Sequence, residues 1–166
     1  MSSIAGTVAM NVNFSVGLAA TGNVLTAYSV PVSPQQTHSY TAGTGAAQIN
    51  KVAGLGGSAA ASPASIDLTA VVCADGTTGL SHVRELIVYN DSTTNVLTWD
   101  FTVSNALTAM FSAGGTSAKV SVNPGAHQRF NVPLGTNGYV VDSTHKIISL
   151  DPGANTIAYR IVLAGD

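Results

Sequence analysis

Residues 8–18 read VAMNVNFSVGL, with Val8, Met10, Val12, Phe14, Val16 and Leu18 at the even positions and Ala9, Asn11, Asn13, Ser15 and Gly17 between them. Successive side chains of an extended chain point to opposite faces, so this alternation describes a half-buried β-strand with one apolar face. Period two dominates the rest of the chain as well. It resumes at Val24 with Thr26, Tyr28 and Val30, and Pro31 is expected to break it.

Further along, strands are expected at short, regular spacing. Ser65–Cys73 leads into the turn Ala74-Asp75-Gly76, and Val83–Asn90 carries apolar residues on both faces, as a central strand does. Asn95–Val103 sets Leu97, Trp99, Phe101 and Val103 on one side. Lys119–Val122 ends at Asn123-Pro124-Gly125, a turn signal, and Phe130–Val132, Tyr139–Val141 and Lys146–Leu150 follow. After Asp151-Pro152-Gly153 a last strand, Thr156–Leu163, aligns Ile157, Tyr159, Ile161 and Leu163. Only Ala106–Phe111 competes as a helix, and it is short. The stretch from Thr41 to Pro63, rich in Gly, Ala and Ser, reads as a loop or extended arm in which Gln48–Val52 forms a short strand. The expected fold is all-β: a single-domain sandwich over 1–166 of about eight to ten strands, jelly-roll or immunoglobulin-like. Within it, 1–64 supplies an N-terminal strand or arm and the Gly/Ala/Ser-rich loop, and 65–166 supplies the core strands.

Composition narrows the role. Charged residues are 8% of the 166, against roughly 25% in typical soluble domains. The surface is therefore covered mainly by Ser, Thr, Asn, Gln and Gly, which suits packing of chains against one another because few charges need desolvating. Lys51, Arg84, Lys119, Arg129, Lys146 and Arg160 are scattered and the net charge is −2, so no basic stripe points to nucleic acid. No apolar run is long enough for a bilayer, and no basic residue precedes Lys51 to open a secretory signal. The chain is expected to fold in a cytoplasm.

Groups that carry chemistry are sparse. Asp75, Asp91 and Asp151 lie beside turn residues, where Asp bonds its own backbone. His38, His82, His127 and His145 lack a second ligand at a recurring metal spacing, and Cys73 has no disulfide partner. The glycine runs Gly43-Thr44-Gly45 and Gly54-Leu55-Gly56-Gly57 are followed neither by Lys-Ser/Thr nor by a helical pattern, so they do not read as phosphate loops. The chain is expected not to be an enzyme, with no catalytic residues, cofactor or metal.

From Ser65 the residues resemble a known group. The run Ser65-Ile-Asp-Leu-Thr-Ala70, then Asp75-Gly-Thr-Thr-Gly79, then Val83-Arg-Glu-Leu-Ile-Val-Tyr-Asn90 is similar to small β-sandwich virion proteins of tailed bacteriophages. Gly43–Gln48, the Val122-Asn-Pro-Gly125 turn, Gly138-Tyr139-Val140 and the ending Ala158–Gly165 fit the same resemblance, which spans Gly43 to Asp166. It implies a capsid decoration or cement protein that reinforces the head shell, located on the virion. Its partners would be the major capsid protein or other virion proteins. A homotrimer is the grouping expected at local three-fold positions of a shell. The alternative is a tail, neck or fibre component that binds host surface carbohydrate. Val8, Met10, Val12, Phe14, Val16 and Leu18 lie outside the resemblance and are the expected assembly contacts, adding as a strand to a neighbouring subunit.

Overall fold

Strands occupy most of the described residues, as the alternation requires, and no α-helix occurs among them. The computed structural model describes residues 6–11, 14–18, 28–32, 35–46, 48–108, 118–131 and 137–166. They form two compact units, Gly6–Tyr40 and Thr41–Asp166.

The first unit holds β1 (Gly6–Asn11), β2 (Phe14–Leu18), β3 (Tyr28–Val32) and most of β4 (Gln35–Ala42). β1 pairs antiparallel with β4, Gly6 opposite Tyr40 and Asn11 opposite Gln35. β2 pairs antiparallel with β3, Phe14 opposite Val32 and Leu18 opposite Tyr28. The stretch expected as one strand over Val8–Leu18 is thus two strands with different partners. A period of two reports the pleat and says nothing of where a chain changes neighbours. Pro31 does not end its strand. It lies inside β3, opposite Ser15, and among the described residues β3 pairs with β2 alone, an edge position where proline is tolerated.

The second unit contains β5 (Gln48–Ile49), β6 (Lys51–Ala60), β7 (Ala64–Asp67), β8 (His82–Asn90), β9 (Leu97–Asp100), β10 (Lys119–Val122), β11 (His127–Asn131), β12 (Tyr139–Val140), β13 (Ile147–Asp151) and β14 (Thr156–Gly165). One sheet has the order β10-β9-β13-β7. The other runs β11-β8-β14-β6, with β12 also on β8. These pairings are antiparallel.

The two sheets pack face to face, consistent with a β-sandwich. Leu97 and Trp99 of β9 with Ile148 and Leu150 of β13 meet Leu86 and Val88 of β8 with Ile157, Ile161 and Leu163 of β14, all buried. The Trp99 ring joins the layers, stacking on Phe101 at 4.8 Å and meeting the Phe130 edge of β11 at 4.9 Å. Such pairs add about 1 kcal/mol beyond burial. Cys73 is buried in this core, and burial pushes its thiol pKa up. Asn90 is a polar clamp between the layers. Its Nδ2 donates to the carbonyls of Asn95 and Val122, each at 2.8 Å, and its Oδ1 accepts from Ser92 N–H at 2.9 Å.

Most of the Gly/Ala/Ser-rich stretch is not a loop. Lys51–Ala60 is β6, ten residues paired without a break to β14, from Lys51 opposite Gly165 to Ala60 opposite Thr156. Side chains too small to display an alternation gave no strand signal, although the backbone pairs fully. Of the Ala106–Phe111 segment, Ala106 makes a bridge to Ile147, while residues 109–111 lie outside the described residues.

Candidate functional site

Of the expected assembly residues, Val8 and Met10 lie on β1 opposite His38 and Gln36. Phe14, Val16 and Leu18 lie on β2 opposite Val32, Val30 and Tyr28, and Val12 lies outside the described residues. Both segments have a strand partner within their own chain.

The scattered charges meet in space. Arg160 grips Asp91 with two bonds of 2.8 and 2.7 Å, and Lys146 reaches Asp67 at 2.7 Å. Lys119 pairs with Asp100 at 2.9 Å, and Arg129 with Glu85. Arg84, wholly buried, donates to Asp166 at 2.9 Å and to the Thr44 carbonyl at 2.7 Å. Lys51 instead donates to the Gly79 carbonyl at 2.7 Å. All other lysines and arginines of the chain are therefore neutralised by acids of the same chain.

Around Arg84 the ends of β8 and β14 are locked together. His82 Nδ1 lies 2.7 Å from Asp166 Oδ1, and a register shift between Ala164 and Gly165 admits the close approach. A Cβ on Gly165 would fall 1.9 Å from the His82 carbonyl oxygen, so only glycine fits. Thr44, Asn50, Lys51, Ser81, His82 and Asp166 line a cavity of about 360 Å³ beside this cluster. Arg84 Nε and Nη1 are buried without a hydrogen-bond partner. The cluster is best explained as a latch, because the Asp166 carboxylate is already shared between the Arg84 guanidinium and the His82 ring.

The turns use one device four times. Asp67, Asp75, Asp100 and Asp142 each accept at Oδ1 from both the N–H and the hydroxyl of the threonine two residues on. Bonds from Lys146 and Thr69 hold Asp67 at about 2, and bonds from Thr144 hold Asp142 at about 2. Bonds from Thr77 lower Asp75. At Asp100 burial pushes upward, and Thr102 and Lys119 together outweigh it. The spacing Asp-x-Thr is the sequence signal that marks these turns. No three His, Cys, Asp or Glu side chains gather as a metal site among the described residues.

Two surfaces of the five-stranded sheet remain. On its outer face Arg160 lies over the Tyr89 ring, 4.8 Å from the centroid, with His127 beside that ring at 5.3 Å. Gly54 and Gly56 leave a shallow groove of about 340 Å³ next to Tyr89, Arg160 and Val162. The second surface is the edge of β6. Ala61 N–H donates to Asn155 on the β14 side, whereas the Val52 carbonyl accepts from Ala74 N–H on the other side. Alternation along an antiparallel ladder then turns the N–H and C=O of Gly54, Gly56 and Ser58 away from β14. Among the described residues β14 alone pairs with β6.

Compared with known proteins, the chain matches no family model, no curated protein and no solved structure.

Proposed function

We propose that this chain is a structural component of a virion, a decoration or cement protein that binds a capsid shell and reinforces it by protein–protein contact. One observation carries the reading. A chain already poor in charge spends five of its six cations on internal pairs, so it offers neighbours a polar surface with few free charges to desolvate. The resemblance over Gly43–Asp166 supplies the class of particle, the jelly-roll or immunoglobulin-like type of sandwich, and the major capsid protein as partner. The body acts passively: two packed sheets form a rigid plate, and loops and sheet edges make the contacts.

Co-sedimentation tests this. Mixed with tailed-phage heads stripped of accessory proteins, the chain is expected to pellet with the shells and to raise their resistance to heat. A chain that stays in the supernatant and leaves shell stability unchanged would overturn the reading. A tail, neck or fibre role with glycan binding is the second reading, favoured by Tyr89 and Arg160, the latter held by Asp91, in the lining of the Gly54–Gly56 groove. Retention on a glycan array, lost on Tyr89→Ala, would select it.

A further inference from the structure

Five of the six cations end on an acid, and Lys51 is the exception. The residue is half-buried at the start of β6, and its Nζ donates to the Gly79 carbonyl at 2.7 Å. That bond uses one of three ammonium protons and leaves the charge unbalanced. The carbonyl is firmly placed. Gly79 has a φ of +80°, and a Cβ there would fall 2.6 Å from the Thr69 carbonyl oxygen, so only glycine suits this turn. An ammonium held in this way, partly desolvated and without an anion against it, is a charge that a ligand anion stabilises.

Lys51 opens on the cavity of about 360 Å³ that Thr44, Asn50, Ser81, His82 and Asp166 also line. The bonds already made give this cavity its sign. Its one carboxylate, Asp166, has both oxygens occupied, Oδ1 by His82 and Oδ2 by Arg84. The Arg84 guanidinium stands behind that wall, bound to Thr44 and Asp166, with Nε and Nη1 unpartnered. Lys51 and Arg84 therefore set two positive charges against the one negative charge of Asp166. Asp75 also feels Lys51 through space. It is exposed, gives its Oδ1 to Thr77, and makes no ion pair with Lys51 among the described residues. We infer that this cavity binds a carboxylate, with Lys51 as its counter-ion and the neutral polar groups of Thr44, Asn50 and Ser81 around the rest of the ligand. One surplus positive charge suits a singly charged acid better than a phosphate, which carries nearly two negative charges. Two sources bear this chemistry, a free small acid and the acidic side chain of another protein. The inference stands apart from the virion reading, which has its own assay.

Nuclear magnetic resonance titration of the isotope-labelled chain tests it, read at the backbone amides of Asn50, Lys51, Ser81 and His82. The probes are N-acetylglutamate α-amide, its uncharged glutamine counterpart, sodium glucuronate and glucose. At least one acid is expected to move these amides in a saturable way, with an affinity roughly tenfold or more above its uncharged counterpart, the worth of one charge-assisted contact. Saturation by the glutamate probe alone points to a protein side chain as the source, and by glucuronate alone to a free acid. Saturation by both assigns the site to the carboxylate itself. Lys51→Met should abolish the preference for charge, and Lys51→Arg should keep it, with circular dichroism melts confirming that both are folded. Equal binding of charged and uncharged probes to the native chain would overturn the site, whatever the variants do. So would the lack of saturation by either acid, a folded Lys51→Met chain that keeps the preference, or inorganic phosphate that binds more tightly than both acids.

Discussion

β14 lies between two long strands that have little in common. On one side β8, HVRELIVYN, loads both faces with large side chains and buries Val83, Leu86 and Val88 completely. On the other β6, KVAGLGGSAA, is mostly backbone, with Ala53 and Ala59 as its only fully covered apolar residues. Both are antiparallel partners of the same strand. The difference separates two ways of making a sheet. β8 is held by what its side chains bury and clamp, while β6 is held by its ladder to β14 and by the room its small residues leave. Removing a side chain should therefore be costly on β8 and nearly free on β6.

The largest expected effect is on β8. Leu86→Ala empties a fully buried site facing the second sheet, and should cost about 3 kcal/mol from lost transfer energy and an unfilled cavity. Chemical denaturation would show this as a lower midpoint at constant slope. An effect under about 1 kcal/mol would mean the core can collapse onto the gap, which would erase the contrast. Next comes Asn90→Ala, expected to cost about 2 kcal/mol, because the carbonyls of Asn95 and Val122 and the N–H of Ser92 lose their bonds together. If Asn90→Ala were silent, the clamp between the layers would be ornamental.

Sequence made the first of these strands legible and hid the second. Val83–Asn90 and Ile157–Leu163 carry large apolar residues in the pattern their burial requires, whereas of the expected Asn95–Val103 only Leu97–Asp100 is strand, although Leu97, Trp99 and Phe101 are all buried. β6 has no such pattern because glycine and alanine are silent about faces, so its strand character emerges only from pairing with β14. The break between β1 and β2 was hidden for a related reason: alternation persists although the partner changes. The charge pairs were illegible as well. Arg84 and Asp166 are 82 residues apart and meet only because β8 and β14 run antiparallel side by side. The Asp-x-Thr turns are the opposite case, local enough for spacing to point to them, although Asp91-Ser92-Thr93 has the same spacing and gives its carboxylate to Arg160 instead.

Acid sharpens the comparison, since carboxylates anchor the turns around the core strands and none lies on β6. Asp67 and Asp142 titrate at about 2, below their ordinary 3.8. A depressed folded-state pKa gives stability that is fully present above the unfolded value and lost as pH falls through the folded one. The melting temperature is expected to hold down to about pH 4 and to decline toward pH 2. In the Asp67→Asn/Asp142→Asn variant the starting temperature is lower and the decline shallower. Equal slopes in the two proteins would show that these turns contribute nothing to acid sensitivity.

The smallest expected effects lie within β6 itself, where two glycines three residues apart should respond differently. A methyl group at Gly57 would sit 2.7 Å from the Tyr159 hydroxyl and 2.9 Å from its Cζ, so Gly57→Ala forces that ring aside. About 1 kcal/mol of destabilisation is the expected cost of such overpacking. At Gly54 the same methyl meets open space on a backbone that is not left-handed. Gly54→Ala should leave stability unchanged or raise it by about 0.5 kcal/mol, because alanine has less chain entropy to lose on folding. A marked loss of stability at Gly54 would mean that the outer face of β6 is covered, and the strand would then be held much as β8 is.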